Sequence, residues 1–299
     1  MRLFLILILF VSVIFIPQYA FTQTAKTIDE LAAMYNAEKC AECHKDLNPI
    51  HDEWKDSWHA KSLVDSRVLR TWRTFILSGL DKSKGTRRDL KDICLPCHVP
   101  QIKDASDELA IEIANLIVTA VEDKDGAKRE SVIKELSKLN INCVVCHNMK
   151  ATPDGKPEAG AVYGPKGPEK IDSTPHEEEK IKSIKSDFLR TSEFCAQCHH
   201  GCPPDMPSSI CPTLYTSYQE YFLARGGKET CQECHMKGED FKSHRFPGIF
   251  ETDQVKEGID LQLNVRPTTF VYHLENKVVP AIVVKVDVTN KAGHLIPHG

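Results

Sequence analysis

One pentapeptide occurs five times in 299 residues and limits what the rest of the chain can do. It reads Cys40-Ala41-Glu42-Cys43-His44, Cys94-Leu95-Pro96-Cys97-His98, Cys143-Val144-Val145-Cys146-His147, Cys195-Ala196-Gln197-Cys198-His199 and Cys231-Gln232-Glu233-Cys234-His235. C-x-x-C-H is the attachment pattern of c-type haem. Its spacing has a chemical reason. Two thiols add across the two haem vinyl groups, and the histidine that follows is held beneath the iron as an axial ligand. Zinc sites also use paired C-x-x-C units, but zinc does not need a histidine directly after the second cysteine. With 13 histidines in 299 residues, five such placements by chance come to roughly one in ten million. A thioredoxin-like redox pair would need a βαβ context that the chain does not suggest. The expectation is five covalently attached haems c, with His44, His98, His147, His199 and His235 as proximal ligands.

Twelve cysteines would suggest metal sites in a reducing cytosol and disulfides or cofactor attachment in an exported protein, and the first residues decide between them. Arg2 precedes an apolar run from Leu3 to Ile16, broken by Pro17 and followed by small or polar residues. That is the layout of a signal peptide, expected over residues 1–22, and the run is short of the ~20 residues a bilayer-spanning helix needs. An uncleaved membrane anchor is the alternative. Export to the periplasm or the extracellular space is expected. Net charge is −4 with no basic run or stripe, so no nucleic-acid partner is expected. Cys202 and Cys211 stand outside the motifs; a local disulfide is the plain reading, two free or metal-binding thiols the other.

Each iron needs a second axial ligand, and eight histidines lie outside the motifs. His59 follows Trp54 and Trp58, whose spacing of four would put both indoles on one helical face. His176 ends a long glycine- and proline-rich stretch from Lys150, and long loops inside compact domains usually serve a function. His244 closely follows the fifth motif. His294 lies in Ala292-Gly293-His294-Leu295-Ile296-Pro297. With His51, these make five candidate distal ligands. His200 is badly placed to turn back over its neighbour's iron, and His273 and His298 read as bystanders. Methionine is the other usual ligand of cytochromes c, but Met149 and Met236 sit too close to their own motif histidines. The supply of histidine favours bis-histidine, low-potential haems.

The predicted fold is mainly α: short helices and loops around five stacked haems, with a small β-module at the C-terminus that must pack on the haem domain, pair with a partner or be incomplete. Three segments follow: the signal peptide to residue 22, a pentahaem domain over 23–250 and a β-rich segment over 251–299. Apolar spacing predicts helices over 104–122 and 128–139, with further helices over 180–194 and 214–225, the last ended by Gly226-Gly227. After Phe250, Leu261 to Val265, Phe270 to Tyr272 and Ile282 to Val288 read as strands, with Lys277 in the turn. The hydrophobic share is 41%, part of it in the N-terminal run. That is a thin supply for an ordinary core of this size.

Trp54-x-x-Ser57-x-His59, the helix into Cys143–His147, Tyr163-Gly164-Pro165 leading to His176, and Ser243-His244-Arg245-Phe246 resemble the cytochrome c-552/4 superfamily, which includes hydroxylamine oxidoreductase. The resemblance covers roughly residues 38–250 and implies distal ligation by His59, His176 and His244, with haems stacked in close pairs. The ending at Gly299 resembles multihaem cytochromes of selenite and tellurite reduction or of extracellular electron conduits, some of them selenoproteins. A selenocysteine codon read as a stop would produce such an ending. The expected function is electron transfer in a respiratory or metal- and oxyanion-reduction chain, more carrier than stand-alone enzyme. Its expected partners are redox proteins, a quinol dehydrogenase or other cytochromes, with assembly into a conduit or filament as an option. The alternative is an oxidoreductase with one open haem that reduces a small oxyanion or nitrogen oxide. A lysine-ligated C-x-x-C-K motif is absent.

Overall fold

The computed structural model describes residues 24–44, 50–78, 87–166, 176, 181–201, 213–238 and 243–296. The expected signal peptide, Cys202, Cys211 and His298 lie outside these residues. The described chain is mainly helical, built from many short helices, with two two-stranded sheets.

The one long amphipathic helix, α1 (Asp107–Glu122), anchors the first half. The Ser106 side chain caps it by accepting from the Leu109 N–H, and Asp107 and Glu108 in its first turn suit the positive end of the helix dipole. Leu109, Ile113 and Ile117 recur at a spacing of four and are wholly buried, with Ala110, Ala114 and Ala120 beside them. Helix α2 (Gly126–Leu136) follows, capped by Asp125, and packs on α1. Leu31, Leu63, Trp72 and Leu95 close a single apolar cluster around this pair. Replacing Ile113 by alanine is expected to cost about 2–5 kcal/mol, measured by urea denaturation of the haem-loaded chain.

Past Tyr163 this kind of core stops. Among the described residues beyond it, Tyr218 is the only buried hydrophobic side chain. The motifs at 195–199 and 231–235 therefore stand in a region without an apolar interior of its own.

Two elements differ from expectation. Over 180–194 there is no continuous helix: β2 (Ser183–Lys185) pairs in parallel with β1 (Val162–Gly164), a 3-10 turn covers Asp187–Arg190, and the helix carrying the motif begins only at Ser192. The helix holding Trp54 ends at Asp56, so Trp54 and Trp58 do not share a helical face. Trp54 instead donates its indole N–H to the Ile141 carbonyl, and Trp58 packs edge-on against Phe250. Helical turns from Leu214 to Arg225 do end at Gly226, whose φ of 93° suits glycine.

The C-terminal β-segment is one antiparallel ribbon, β3 (Ile259–Tyr272) with β4 (Lys277–Asn290). Lys277 opens β4 opposite Tyr272 rather than sitting in the turn, and His273 lies in the turn rather than in a strand. Among the described residues no helix is long and apolar enough to cross a membrane.

Candidate functional site

Each C-x-x-C-H motif lies on a helical turn. Residues three and four apart share a helix face, so such a turn presents both thiols and the histidine on one side. Local capping fixes several of these turns. Thr230 and Glu233 form a reciprocal capping box on the fifth motif. The Asn142 side-chain oxygen accepts from the Val144 and Val145 N–H groups ahead of the third. Gln232 donates to the Leu189 and Thr191 carbonyls and ties the fifth motif to the approach of the fourth.

Four of the five motif histidines meet a second histidine ring from a distant part of the chain. Ring centroids are 6.2 Å apart for His44 and His176, 6.2 Å for His59 and His199, 6.3 Å for His147 and His244, and 6.2 Å for His235 and His294. An iron about 2.0 Å from each ligating nitrogen, itself about 1.1 Å from its ring centroid, separates two axial imidazoles by about 6.2 Å. The four pairs therefore fit bis-histidine iron. The ring planes of the last two pairs are nearly parallel, at 24° and 17°.

The second ring nitrogens support the same fit. His98 Nδ1 lies 2.9 Å from the Ser62 carbonyl oxygen, His147 Nδ1 2.8 Å from that of Tyr163, and His235 Nδ1 2.8 Å from that of Pro247. A carbonyl only accepts, so Nδ1 carries the hydrogen and Nε2 keeps its lone pair for a metal. His176 Nδ1 is 3.0 Å from the Ser183 hydroxyl, which β2 supplies. Burial lowers the pKa of His98, His147, His199 and His235, keeping the imidazoles neutral, as ligation requires. Desolvation, with His199 and His244 nearby, takes His59 down to about 3.

Long-range contacts aim the second histidines. His59 opens a 3-10 turn, and its carbonyl accepts from the Ile141 N–H. The His244 N–H donates to Glu53 at 2.8 Å. Between these two rings stands Phe246, 4.5 Å from His59 and 5.7 Å from His244, in a positive-φ conformation (48°) unusual outside glycine. His294 comes from the segment after the ribbon, which rests on the Leu214–Arg225 turns: Gly293 lies against Phe222, and the Leu295 N–H donates to Ser217.

The motifs also touch one another. Cys40 lies beside Cys143, Cys97 beside Cys198 and Cys195 beside Cys231, close enough for each thiol to perturb its neighbour's ionisation. Burial pushes the Cys94 thiol up to about 12 and that of Cys146 to about 11. Cys43 and Cys234 complete the first and fifth motifs. Among the described residues no group of three or more His, Cys, Asp or Glu side chains is arranged to hold a bare metal ion.

His98 differs from the other four. The aromatic ring that meets it is Trp72, at 6.0 Å and 70°, and among the described residues no histidine ring is paired with it. His51 lies beside Trp54 and Asp52 and is not brought to any motif histidine among the described contacts. His200 pairs with Thr216 and Tyr215. Nothing in the spacing of the sequence marked Trp72.

With this geometry in view, residues 39–116, which carry the first two motifs, match the family described as cytochrome c554 and c-prime. The motifs and this match together support a multihaem c-type cytochrome. The chain is also similar to a penta-heme cytochrome c552 from Thermochromatium tepidum, at 20% identity and a TM-score of 0.47, over 90% of this chain and 68% of that one. No curated protein matches the chain.

Proposed function

We propose that this chain carries five haems c and relays electrons outside the cytoplasm, between redox proteins of a respiratory or oxyanion- and metal-reducing chain. Cys40 and Cys43, Cys94 and Cys97, Cys143 and Cys146, Cys195 and Cys198, and Cys231 and Cys234 attach the groups. The proximal ligands are the motif histidines, and the distal ones are His176, His244, His59 and His294 for the first, third, fourth and fifth motifs. When bound, haem supplies one-electron chemistry at iron, with potentials set by ligation and burial. The protein's part is placement. Four imidazole pairs at 6.2–6.3 Å carry this reading, because they match axial ligation at four sites at once.

The thiol contacts support a relay rather than five isolated sites. They set the first attachment turn beside the third, and the fourth beside both the second and the fifth. His59, paired with the fourth motif, and His244, paired with the third, both pack on Phe246 and bridge the two groups. The cytochrome c-552/4 superfamily is the family this reading favours, and the selenite- and tellurite-reduction cytochromes are its narrower form.

Trp72 beside His98 favours a second reading for one site. Its indole nitrogen is fully buried with no hydrogen-bond partner, and an indole N–H donates but cannot ligate. The second-motif haem then keeps an open position, suited to a small oxyanion or nitrogen oxide. Intact mass and a reductive titration test the main reading. Five haem additions and five electrons per chain are expected; a colourless, well-folded protein of bare polypeptide mass overturns it.

A further inference from the structure

The β3–β4 ribbon has two unlike faces. Paired residues of an antiparallel ladder lie on the same side, and the side alternates along each strand. Leu261 pairs with Val288, Leu263 with Val286 and Val265 with Val284, so these six share one face, which Ile282 continues toward the turn. The opposite face carries the polar pairs Gln262 with Asp287 and Asn264 with Lys285. The aliphatic face is bare: Leu263 is 63% exposed, Ile282 66% and Val288 64%. Val271 and its partner Val278 lie on the same face beyond Thr269 and Pro280, so the stripe holds nine aliphatic side chains and runs from Leu261 to Val271, about 33 Å at about 3.3 Å per residue. A lone two-stranded ribbon is marginal in water, and the alternation over Leu261–Val265 and Val284–Val288 is the pattern of a sheet with one covered side, although Val283, Phe270 and Val279 lie on the other face nearer the turn.

We infer that the aliphatic face of the ribbon is a docking surface for the same face of a second copy of this chain. Size and chemistry favour that occupant. About nine side chains exposing roughly 100 Å² each offer about 900 Å², against roughly 800 Å² per partner in stable protein interfaces. The face has no charge along its aliphatic stripe, so it needs no complementary pattern and suits a two-fold axis, on which one patch must match itself. Two such ribbons stacked about 10 Å apart make a minimal four-stranded sandwich. Adding a strand at an edge is the competing geometry, and the chain opposes it. Pro267 interrupts the row of N–H donors on β3 and Pro280 does so on β4, as on natural edges that avoid pairing. Both cytochrome bodies would then be joined through their C-terminal ribbons, with the His294 segments at the ribbon bases.

Sedimentation of the haem-loaded full chain tests this. A dimer at micromolar concentration is expected, and Leu263→Asp with Val286→Asp should weaken it at least about a hundredfold, since the charges would be buried without partners. The milder pair Leu263→Ala and Val286→Ala should weaken it about tenfold or more, and Asn264→Asp on the polar face should leave it unchanged. An unaltered visible spectrum shows that the variants keep their fold. A monomeric native protein overturns the inference, including one whose ribbon resists protease because another occupant covers it. So does a dimer that survives both variant pairs.

Discussion

Removing the fifth attachment site, by Cys231→Ala with Cys234→Ala, should cost one haem and unfold the region beyond Tyr163, while the first half stays folded. The reason is the uneven interior. Residues 25–149 contain a continuous apolar cluster around α1, with Leu109, Ile113 and Ile117 sealed inside it. Beyond Tyr163, the described chain buries only Tyr218 among its hydrophobic side chains. Side-chain packing alone cannot offset the ordering entropy there, about 1–2 kcal/mol per residue for the backbone. Porphyrin surface is the apolar material that this half lacks. The fourth and fifth motifs share a thiol contact, and Gln232 and Cys231 bond to the approach of the fourth, so losing one group loosens both. The effect should match the whole stability of a small domain, about 5–15 kcal/mol. Limited proteolysis checks it. A resistant fragment containing α1 and α2, with rapid loss of everything after residue 166, is the expected pattern; uniform resistance would mean that side chains suffice.

Much of this was legible in the sequence, and the limits have physical causes. The attachment turns were readable because thioether chemistry demands a local, rigid spacing. Helix α1 was readable because Leu109, Ile113 and Ile117 repeat at the helical period, and β-structure after Phe250 from its β-type runs, although the first two runs join into the single strand β3. His59, His176, His244 and His294 could be singled out from local context, and the structure brings each to a motif histidine. The partner of each could not be read. His59 reaches His199, and His244 reaches His147, through contacts such as Ile141 with His59 and Glu53 with the His244 backbone, which leave no local trace. The helix expected over 180–194 failed for a related reason. Ser183–Lys185 is drawn into a parallel pair with Val162–Gly164, a tertiary demand that overrides local propensity. Trp54 and Trp58 have helical spacing, but the chain bends after Asp56 and sends one indole to Ile141 and the other to Phe250. Trp72 beside His98 was invisible because a buried tryptophan in an apolar helix reads as ordinary core.

Carbon monoxide should bind the reduced native protein at one site per chain, and His244→Ala should raise that number to two. The asymmetry behind the first value is concrete: four motif histidines face another imidazole at ligation distance, and His98 faces the Trp72 indole. The second value follows from how His244 is held. Its backbone N–H, not its ring, bonds to Glu53, so the alanine variant keeps that anchor and loses the imidazole. Phe246 keeps its contact with His59, which leaves the neighbouring pair intact. The ferric spectrum should show one more high-spin centre than the native protein, and added imidazole should return it to low spin by filling the vacated position. A carbon monoxide count of zero in the native protein would mean that a residue outside the described segments caps the second site, and the open-site reading would fall. A count unchanged by His244→Ala would remove His244 from the ligand set.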